Sequence, residues 1–188
     1  MSFMSKFGKW IVLGVFALFV LSGIGSYNSL TSKSVDVQAA ESQIDIQLQR
    51  RSELIPQLVG TVKGYATHEK DTLVQVTEAR AKLANAKTLT EKNEANNQLT
   101  TALYSLQPLQ EKYPDLKANE NFKSLMDELA GTSNRVTVAR TRYNKAVAVY
   151  NYSVMRFPTN LIAGTFGFQQ KDALQATDDE KKNPEVKF

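Results

Sequence analysis

The residues that could bind a metal ion or carry out acid–base chemistry are few, and they do not complete a site. His68 is the single histidine, and with Glu69 it begins like the H-E-x-x-H motif of zinc proteases. Thr72 occupies the position of the second histidine ligand, so this motif fails. A ferritin-like di-iron site needs Glu-x-x-His, and Tyr65 stands where that glutamate is required. Because the chain also has no cysteine, we predict no metal site, no cofactor and no thiol chemistry.

Nucleophilic and phosphate-binding sites are equally incomplete. A catalytic serine would have to use His68 as its base, and no serine has the strand–turn setting of a nucleophile elbow. Gly60 and Gly64 lie in a helical pattern without the Gly-Lys-Ser sequence of a phosphate loop. Glu41 and Asp45 lie four residues apart, which is typical of a solvated helix face. We therefore predict that the chain has no catalytic residues and is not an enzyme.

Three arginines stand out because each falls within an apolar stripe of a helical pattern. Arg51 lies between Leu48 and Ile55, and Arg80 and Arg140 have apolar neighbours at similar spacing. Leaving a buried guanidinium unpaired costs about 3–5 kcal/mol, so each would need a carboxylate or several carbonyl groups. The candidate carboxylates are Glu53, Glu69, Glu78, Asp127 and Glu128. We favour a buried ion-pair layer that fixes the helix register over a ligand-binding site, and the sequence leaves both interpretations open.

Apolar residues at intervals of three and four predict that helices position these side chains. The stripe of the first helix consists of Val37, Ala40, Ile44, Leu48, Ile55, Leu58, Val62 and Tyr65. Pro56 lies inside this stripe and lacks a backbone N–H donor, so we predict a kink near residues 51–52. The second helix is expected to begin near His68 with Thr67 as its cap, and the third near Thr90.

The last long helix has the longest unbroken stripe. The third helix is expected to end at residues 113–114, and either Asn119 or Asn121 to open the fourth. The fourth stripe consists of Phe122, Leu125, Leu129, Val136, Tyr143, Val147, Tyr150 and Val154. No segment shows the sustained period-two alternation of a half-buried strand. We predict an all-α fold in which residues 28–158 form an elongated antiparallel up-down four-helix bundle, with its longest helices roughly 50 Å long.

The N-terminus has the pattern of a membrane anchor. Residues 1–9 are short and basic, and residues 10–27 contain no charged side chain. A spanning helix needs roughly 17–25 apolar residues, so we predict a short transmembrane helix at residues 10–27, with Trp10 and Tyr27 at the headgroup levels. The anchor residues are Trp10, Ile11, Val12, Leu13, Val15, Phe16, Leu18, Phe19, Val20 and Leu21. The alternative is a cleaved signal peptide, for which a clean A-x-A cleavage site is lacking.

Lysines on the two sides of the predicted span indicate its orientation. Lys6 and Lys9 precede the span, whereas Lys33 alone follows it closely. The positive-inside rule therefore keeps the N-terminus in the cytoplasm and exports the bundle, while the small margin of lysines leaves the opposite orientation open. The net charge of +4 favours an anionic lipid surface and is too small and too dispersed to indicate nucleic-acid binding.

An uncharged apolar segment follows the bundle at residues 159–170. If four helices alternate in direction, the last one returns to the membrane end, where this segment would lie. One interpretation is a cap that closes the bundle, and the other is a contact with the membrane interface or with a partner's transmembrane region. The residues concerned are Leu161, Ile162, Phe166 and Phe168. Residues 171–188 are predicted to form a disordered polar tail, whose Val186 and Phe188 suit a groove that captures C-terminal strands.

Several strings of these residues closely resemble the LemA family of bacterial membrane proteins. They include Gln47-Leu48-Gln49-Arg50-Arg51, Leu54-Ile55-Pro56, Thr61-Val62-Lys63-Gly64-Tyr65-Ala66, His68-Glu69, Tyr113-Pro114-Asp115-Leu116-Lys117-Ala118, Arg140-x-Arg142-Tyr143-Asn144, Tyr150-Asn151, Arg156-Phe157-Pro158 and Asn160-Leu161-Ile162-Ala163. The resemblance implies a bacterial, membrane-anchored, antiparallel four-helix bundle without an established catalytic activity. One branch of the family takes part in building magnetosome membranes. The resemblance supplies no catalytic residue.

The leading hypothesis is a non-enzymatic interaction or scaffold module of the LemA type, anchored by one span in the bacterial inner membrane. Its body would lie on the extracytoplasmic or periplasmic side. Its expected partners are the lipid bilayer and other membrane or envelope proteins, with a second copy of the chain as another candidate. One alternative is a signalling or sensing protein, in which the kink at Pro56 lets a signal bend the first helix. The other is a membrane-assembly or remodelling factor.

Overall fold

The computed structural model describes residues 2–66 and 68–175, and for residues 2–9, 11, 12 and 15 it describes the backbone without the side chains. Every regular element in this part of the chain is a helix, which confirms the predicted all-α fold. The helices are α1 (Ser2–Lys63), α2 (Lys70–Asn85), α3 (Leu89–Tyr104), α4 (Gln107–Lys112), α5 (Pro114–Ala118), α6 (Glu120–Met155) and α7 (Thr159–Phe166).

Helix α1 joins the predicted anchor to the predicted bundle without a break. It continues through Pro56, so this proline does not end the helix, and the kink expected there stays a prediction. The predicted stripe was wrong at Tyr65, which is exposed. The reason is that α1 ends at Lys63 and the chain then turns, with the Tyr65 N–H donating to the Val62 carbonyl at 3.0 Å.

Among the described residues, no helical stretch is both long and apolar enough to qualify as a membrane span. The transmembrane helix predicted at residues 10–27 is therefore not confirmed, although α1 covers this segment. The apolar run is short for a bilayer because Gly23, Gly25 and Ser26 interrupt it near its end.

Two helix starts differ from the sequence-based expectation. Helix α2 begins at Lys70 after Glu69, not at His68, because the Glu69 N–H donates to the Ala66 carbonyl in a turn. The expected cap, Thr67, lies outside the described residues. Helix α3 is capped by Thr88 and not by Thr90. Only Thr88 has a glutamate three residues later, and its hydroxyl accepts the Glu91 N–H while the Glu91 carboxylate accepts the Thr88 N–H.

The third helix, expected to end at residues 113–114, is interrupted after Tyr104, and α4 begins at Gln107. Pro108 explains the interruption, because it lacks the N–H that would donate to the Tyr104 carbonyl, whereas it is tolerated in the first turn of a new helix. At the start of α6, the Asn119 side chain accepts the Phe122 N–H at 2.9 Å. Asn119, one of the two residues predicted to open this helix, is therefore its cap.

The chain divides into two compact units, and α1 and α6 each contribute residues to both. Unit 1 comprises Met1–Ala39 and Tyr143–Ala173, and unit 2 comprises Ala40–Arg142 and Leu174–Phe188. The buried side chains of unit 1 include Leu30, Val37, Tyr143, Val147, Tyr150, Val154, Thr159 and Ala163. Those of unit 2 include Ile44, Leu48, Ile55, Leu58, Val62, Leu73, Val76, Leu83, Leu99, Leu103, Phe122, Leu129 and Val136. The predicted stripes of α1 and α6 thus supply much of both cores.

Candidate functional site

The N-terminal part of α1 exposes large apolar side chains on all of its sides. Residues 18–21 are consecutive, so they point in four directions around the helix, and each is exposed. The exposed apolar residues of this part are Trp10, Leu13, Phe16, Leu18, Phe19, Val20, Leu21 and Ile24. The side chains of the other predicted anchor residues, Ile11, Val12 and Val15, lie outside the described ones. A helix that is apolar all round is ordinarily buried in a protein core or in a membrane.

Helix α7 packs beside α1 at the end of this apolar segment. The Tyr27 ring makes edge-to-face contacts with Phe166 and Phe168, at centroid distances of 5.0 and 5.6 Å. The Ile162 Cδ1 atom lies 3.5 Å from the position that a Cβ atom would take at Gly23, an ordinary van der Waals distance that places α7 directly beside α1. The apolar segment predicted at residues 159–170 is thus largely helical and held against α1.

A left-handed turn at the end of α7 positions the second of these phenylalanines. Gly167 has φ +75°, a conformation that favours glycine because other residues meet a steric penalty there. The turn lets the Phe168 N–H donate to the Ala163 carbonyl at 2.9 Å. Phe168 therefore folds back toward Tyr27 instead of continuing the helix.

The predicted membrane-end residues differ in how much of each side chain is exposed. Ile162 and Phe168 are half-buried, whereas Leu161 is 52% and Phe166 61% exposed. Phe157, which precedes α7 and which the sequence analysis did not select, is 77% exposed, the highest value among the large apolar side chains that the structure describes. Its place between Arg156 and Pro158, next to an uncharged apolar segment, was the signal that could have identified it.

Hydrogen bonds tie the chain after α7 back to α6. The Asn151 side chain donates to the Lys171 carbonyl at 2.8 Å and accepts the Lys171 N–H at 2.9 Å. The Tyr143 hydroxyl donates to the Asp172 carbonyl at 3.0 Å. The start of the segment assigned to the polar tail is thus bound to unit 1. Val186 and Phe188, the tail residues considered for strand capture, lie outside the described residues.

The net charge of the chain belongs to unit 1. Six of the 23 Lys and Arg residues and two of the 19 Asp and Glu residues fall within its ranges, which gives +4. The remaining 17 basic and 17 acidic residues of unit 2 cancel. Between residues 143 and 171 the sequence has no acidic residue and three basic ones, Lys145, Arg156 and Lys171. The region around α7 is therefore both apolar and basic.

In unit 2, Arg51 is the buried arginine, at 2% exposure. Its Nη1 atom donates to the Asn96 side-chain oxygen, and its Nε atom has no hydrogen-bond partner. Burial lowers the pKa of Arg51 to about 10, against a smaller opposing contribution from Tyr104. The expected carboxylate partner is absent from the described contacts. An amide from α3 takes its place, which the sequence analysis missed because asparagines were not among the partners considered.

The other two arginines of the predicted set are only half-buried. The Arg80 Nε atom donates to the Ser52 carbonyl of α1 at 3.0 Å. Arg140 lines a small void with Asn93 and Asn96 that has no room for a water-sized sphere. This void has no space for a ligand, the predicted ion pair of Arg51 is replaced by a hydrogen bond to Asn96, and the role of the three arginines stays a prediction.

Glu69, one of the residues considered for metal chemistry, is the centre of a hydrogen-bonded cluster just before α2. Glu69 accepts hydrogen bonds from the Lys112 ammonium at 2.5 Å and from the Tyr113 hydroxyl at 3.1 Å. The bond from Lys112 lowers the pKa of Glu69, and the same contact raises the pKa of Lys112. His68 is exposed. The described residues contain no group of three or more potential metal-ligating side chains.

An apolar groove lies next to this cluster, between the end of α1 and α2. Its volume is about 640 Å³. It is lined by Val59, Lys63, Ala66, Lys70, Leu73, Val74, Thr77 and Glu78. Val59 and Val74 lie off the main stripes of their helices, which is why the sequence analysis did not select them. The groove is a candidate surface for an apolar segment of another protein.

Comparison with known proteins matches this chain to the LemA family and to individual LemA and MamQ proteins. The sequence model of the LemA family matches residues 40–188. Protein LemA of Metamycoplasma hominis is 26% identical over 165 residues, which cover 87% of this chain and 75% of that protein. Magnetosome protein MamQ 2 of Paramagnetospirillum magneticum is 25% identical over 190 residues, with coverages of 87% and 70%. Magnetosome protein MamQ of Magnetospirillum gryphiswaldense is 22% identical over 178 residues, with coverages of 81% and 65%.

Proposed function

This chain belongs to the LemA family, and on this premise we propose that it is a non-enzymatic membrane-anchored protein of the cell envelope. In this proposal the apolar part of α1 is the anchor. The rest of α1 and the helices that follow it form a helical body that presents a binding surface to other envelope proteins.

The exposed apolar surface of residues 10–24 carries this proposal. Burying each such large side chain would contribute about 1.5–3 kcal/mol, so transfer of this part of α1 from water to an apolar environment is favourable. No charged residue interrupts residues 10–32, and Lys6 and Lys9 precede them. These lysines favour retention of the N-terminus in the cytoplasm and export of the body.

A membrane-extraction experiment tests the anchor. The double substitution Leu18→Asp with Phe19→Asp places two carboxylates in the apolar segment, at about 2.5–3.5 kcal/mol each at the centre of a span. We expect the full-length variant to leave the membrane fraction under alkaline extraction, whereas the wild type stays. The matched control is Val138→Asp with Val149→Asp, the same change at two exposed apolar positions of α6. Equal retention of both variants and the wild type would reject the anchor.

The absence of cysteine from the natural chain makes a topology test direct. Single cysteines at Ser5 and at the exposed Glu111 can be probed in intact cells with a reagent that does not cross the membrane. We expect labelling at position 111 and none at position 5. The reverse pattern would place the body in the cytoplasm.

The apolar groove supports the interaction role of the body. Val74→Glu inserts a charge into its exposed wall, and Val138→Glu makes the same change outside it. Crosslinking in native membranes is expected to capture a protein that is lost with Val74→Glu and kept with Val138→Glu. An unchanged crosslinking pattern in both variants would separate the groove from partner binding.

A second candidate function is membrane assembly or remodelling. It is favoured by relatives whose names attach them to the magnetosome. Purified full-length protein would then deform liposomes, and the variant with Leu18→Asp and Phe19→Asp would not. If the wild type inserts into liposomes and they keep their shape, remodelling is rejected and the scaffold role is favoured.

A further inference from the structure

Helix α7 and the turn before it expose three large apolar side chains. Phe157, Leu161 and Phe166 are 77%, 52% and 61% exposed. We call these three residues and Arg156 the α7 surface. On the side of α7 that faces α1, Ala163 is buried, Ile162 approaches Gly23, and the Phe166 ring makes an edge-to-face contact with the Tyr27 ring. Packing against α1 thus leaves Phe157, Leu161 and much of the Phe166 ring exposed.

The position of α7 along α1 relates this surface to the anchor. Its contacts are with Gly23 and Tyr27, which lie at the C-terminal end of the apolar segment. If residues 10–24 occupy the hydrocarbon region, Tyr27 and α7 stand at the level of the headgroups. Aromatic side chains are favoured at that level because their rings combine an apolar body with a polar edge.

The charges near α7 indicate which kind of molecule would bind the α7 surface. Arg156 directly precedes Phe157, and its guanidinium lies 5.9 Å from the centroid of the exposed Tyr152 ring. Lys171 lies 5.9 Å from the centroid of the Tyr150 ring. The sequence has no acidic residue between positions 143 and 171. Basic side chains beside exposed apolar ones are the combination that binds anionic phospholipid at a bilayer surface.

We propose that the α7 surface is an interfacial lipid-binding site for anionic phospholipids, with Phe157, Leu161 and Phe166 entering the headgroup region and Arg156 contacting lipid phosphate. This site gives the protein a second contact with the bilayer, beside the anchor. It holds the start of the helical body at the membrane surface. The inference rests on the proposed function, because it assumes that residues 10–24 enter the bilayer.

Measurements of fluorescence quenching depth on the full chain test separately whether residues 10–24 enter the bilayer and whether the α7 surface contacts lipid. The natural chain has one tryptophan, Trp10, which reports on the anchor. A variant with Trp10→Phe and Phe157→Trp reports on the α7 surface. A variant with Trp10→Phe and Tyr104→Trp is the control, because Tyr104 is an exposed aromatic residue of unit 2. Each is reconstituted in phosphatidylcholine vesicles, with and without phosphatidylglycerol, that contain brominated lipid as a quencher.

We expect strong quenching for Trp10 and for the Phe157→Trp reporter, and no quenching for the Tyr104→Trp reporter. Quenched Trp10 with an unquenched Phe157→Trp reporter overturns the α7 site and leaves the anchor intact. No quenching of either overturns both proposals. Quenching of all three tryptophan reporters also overturns the α7 site, because it means that the helical body contacts lipid at more than one surface. A Phe157→Trp reporter shielded from aqueous iodide but not quenched by lipid indicates that protein covers it and also overturns the site.

The role of Arg156 has its own readout. Adding phosphatidylglycerol is expected to increase quenching of the Phe157→Trp reporter, and Arg156→Gln is expected to abolish that increase. Arg142→Gln, a change of the same charge on α6 within unit 2, should keep it. Equal quenching in both lipid mixtures would overturn the preference for anionic lipid. Circular dichroism and thermal melting of each variant verify that it is folded.

Discussion

The two units of this chain both have a buried apolar core, and they differ in where their phenylalanines lie. In unit 2, Phe122 is 1% exposed, and its neighbours on the stripe of α6 are also buried or half-buried. In unit 1, Phe16, Phe19 and Phe157 are all exposed. Unit 2 has balanced charges, whereas unit 1 carries the whole net charge of +4. Unit 2 is thus composed like an ordinary globular domain, whereas unit 1 combines a packed core with an exposed apolar segment.

Replacing one phenylalanine in each unit by alanine is expected to give the largest difference between the two units. Phe122→Ala should lower the free energy of unfolding by about 3–5 kcal/mol, because it leaves a cavity in a packed core. Phe157→Ala should change it by less than about 0.5 kcal/mol in detergent, because the ring is exposed. Urea denaturation of both variants measures the difference. Similar losses for the two would mean that unit 1 uses its exposed phenylalanine as a core residue.

Arg51 tests the polar layer within unit 2. Arg51→Ala removes a buried side chain and leaves the Asn96 oxygen without its donor, so we expect a loss of roughly 2–4 kcal/mol. Arg51→Met keeps most of the volume and removes a desolvated charge that has no carboxylate partner, so it should cost less. Thermal melts of the two variants compare them. A melt of Arg51→Ala equal to that of the wild type would contradict burial.

Tyr27 tests how firmly α7 is attached in unit 1. Tyr27→Ala removes two edge-to-face ring contacts, at about 0.5–1.5 kcal/mol each, and should release α7 without unfolding unit 2. The measurement is hydrogen exchange of the Phe168 amide, which donates to the Ala163 carbonyl. Exchange should accelerate in Tyr27→Ala and stay slow in Tyr27→Phe, which keeps the ring. Equal protection in both would show that α7 is held by other contacts.

Acid stability is the smallest expected effect and should belong to unit 2. The hydrogen bond from Lys112 lowers the pKa of Glu69 below its ordinary value of 4.5. A carboxyl group whose pKa is lowered by folding stabilises the folded state at pH values above its ordinary, unfolded-state pKa. This stabilisation is lost as the pH falls through the folded-state pKa. Glu69→Gln should therefore lower the urea midpoint at neutral pH and reduce its further decline in acid. A decline as steep as that of the wild type would assign the acid sensitivity to other carboxylates.

The helical stripes were predictable because a regular period in the sequence is a local property. Ile44, Leu58, Phe122 and Val147 recur on the faces that are buried. The Asn119 cap was predictable for the same reason, since its partner, the Phe122 N–H, lies three residues away. The interruption after Tyr104 was also encoded locally, at Pro108, but the apolar residues on both sides of it continued the helical spacing and outweighed it.

The partners of the polar residues were not predictable in the same way. Arg51 and Asn96 are 45 residues apart, and nothing in either local sequence states that α3 supplies the amide. The exposure of Phe157 and the half-burial of Ile162 also depend on packing, because both residues are apolar and close in sequence.

By itself, the sequence determined the all-α class, the uncharged apolar N-terminal segment and the resemblance to one family. These follow from composition, periodicity and short motifs, which act between residues near one another in the chain. Only the tertiary structure decided which amide meets Arg51 and which ring contacts Tyr27. It also decided which apolar residues of α7 remain outside. Such pairings depend on how separate helices pack. The sequence around either partner does not indicate which distant residue it will contact.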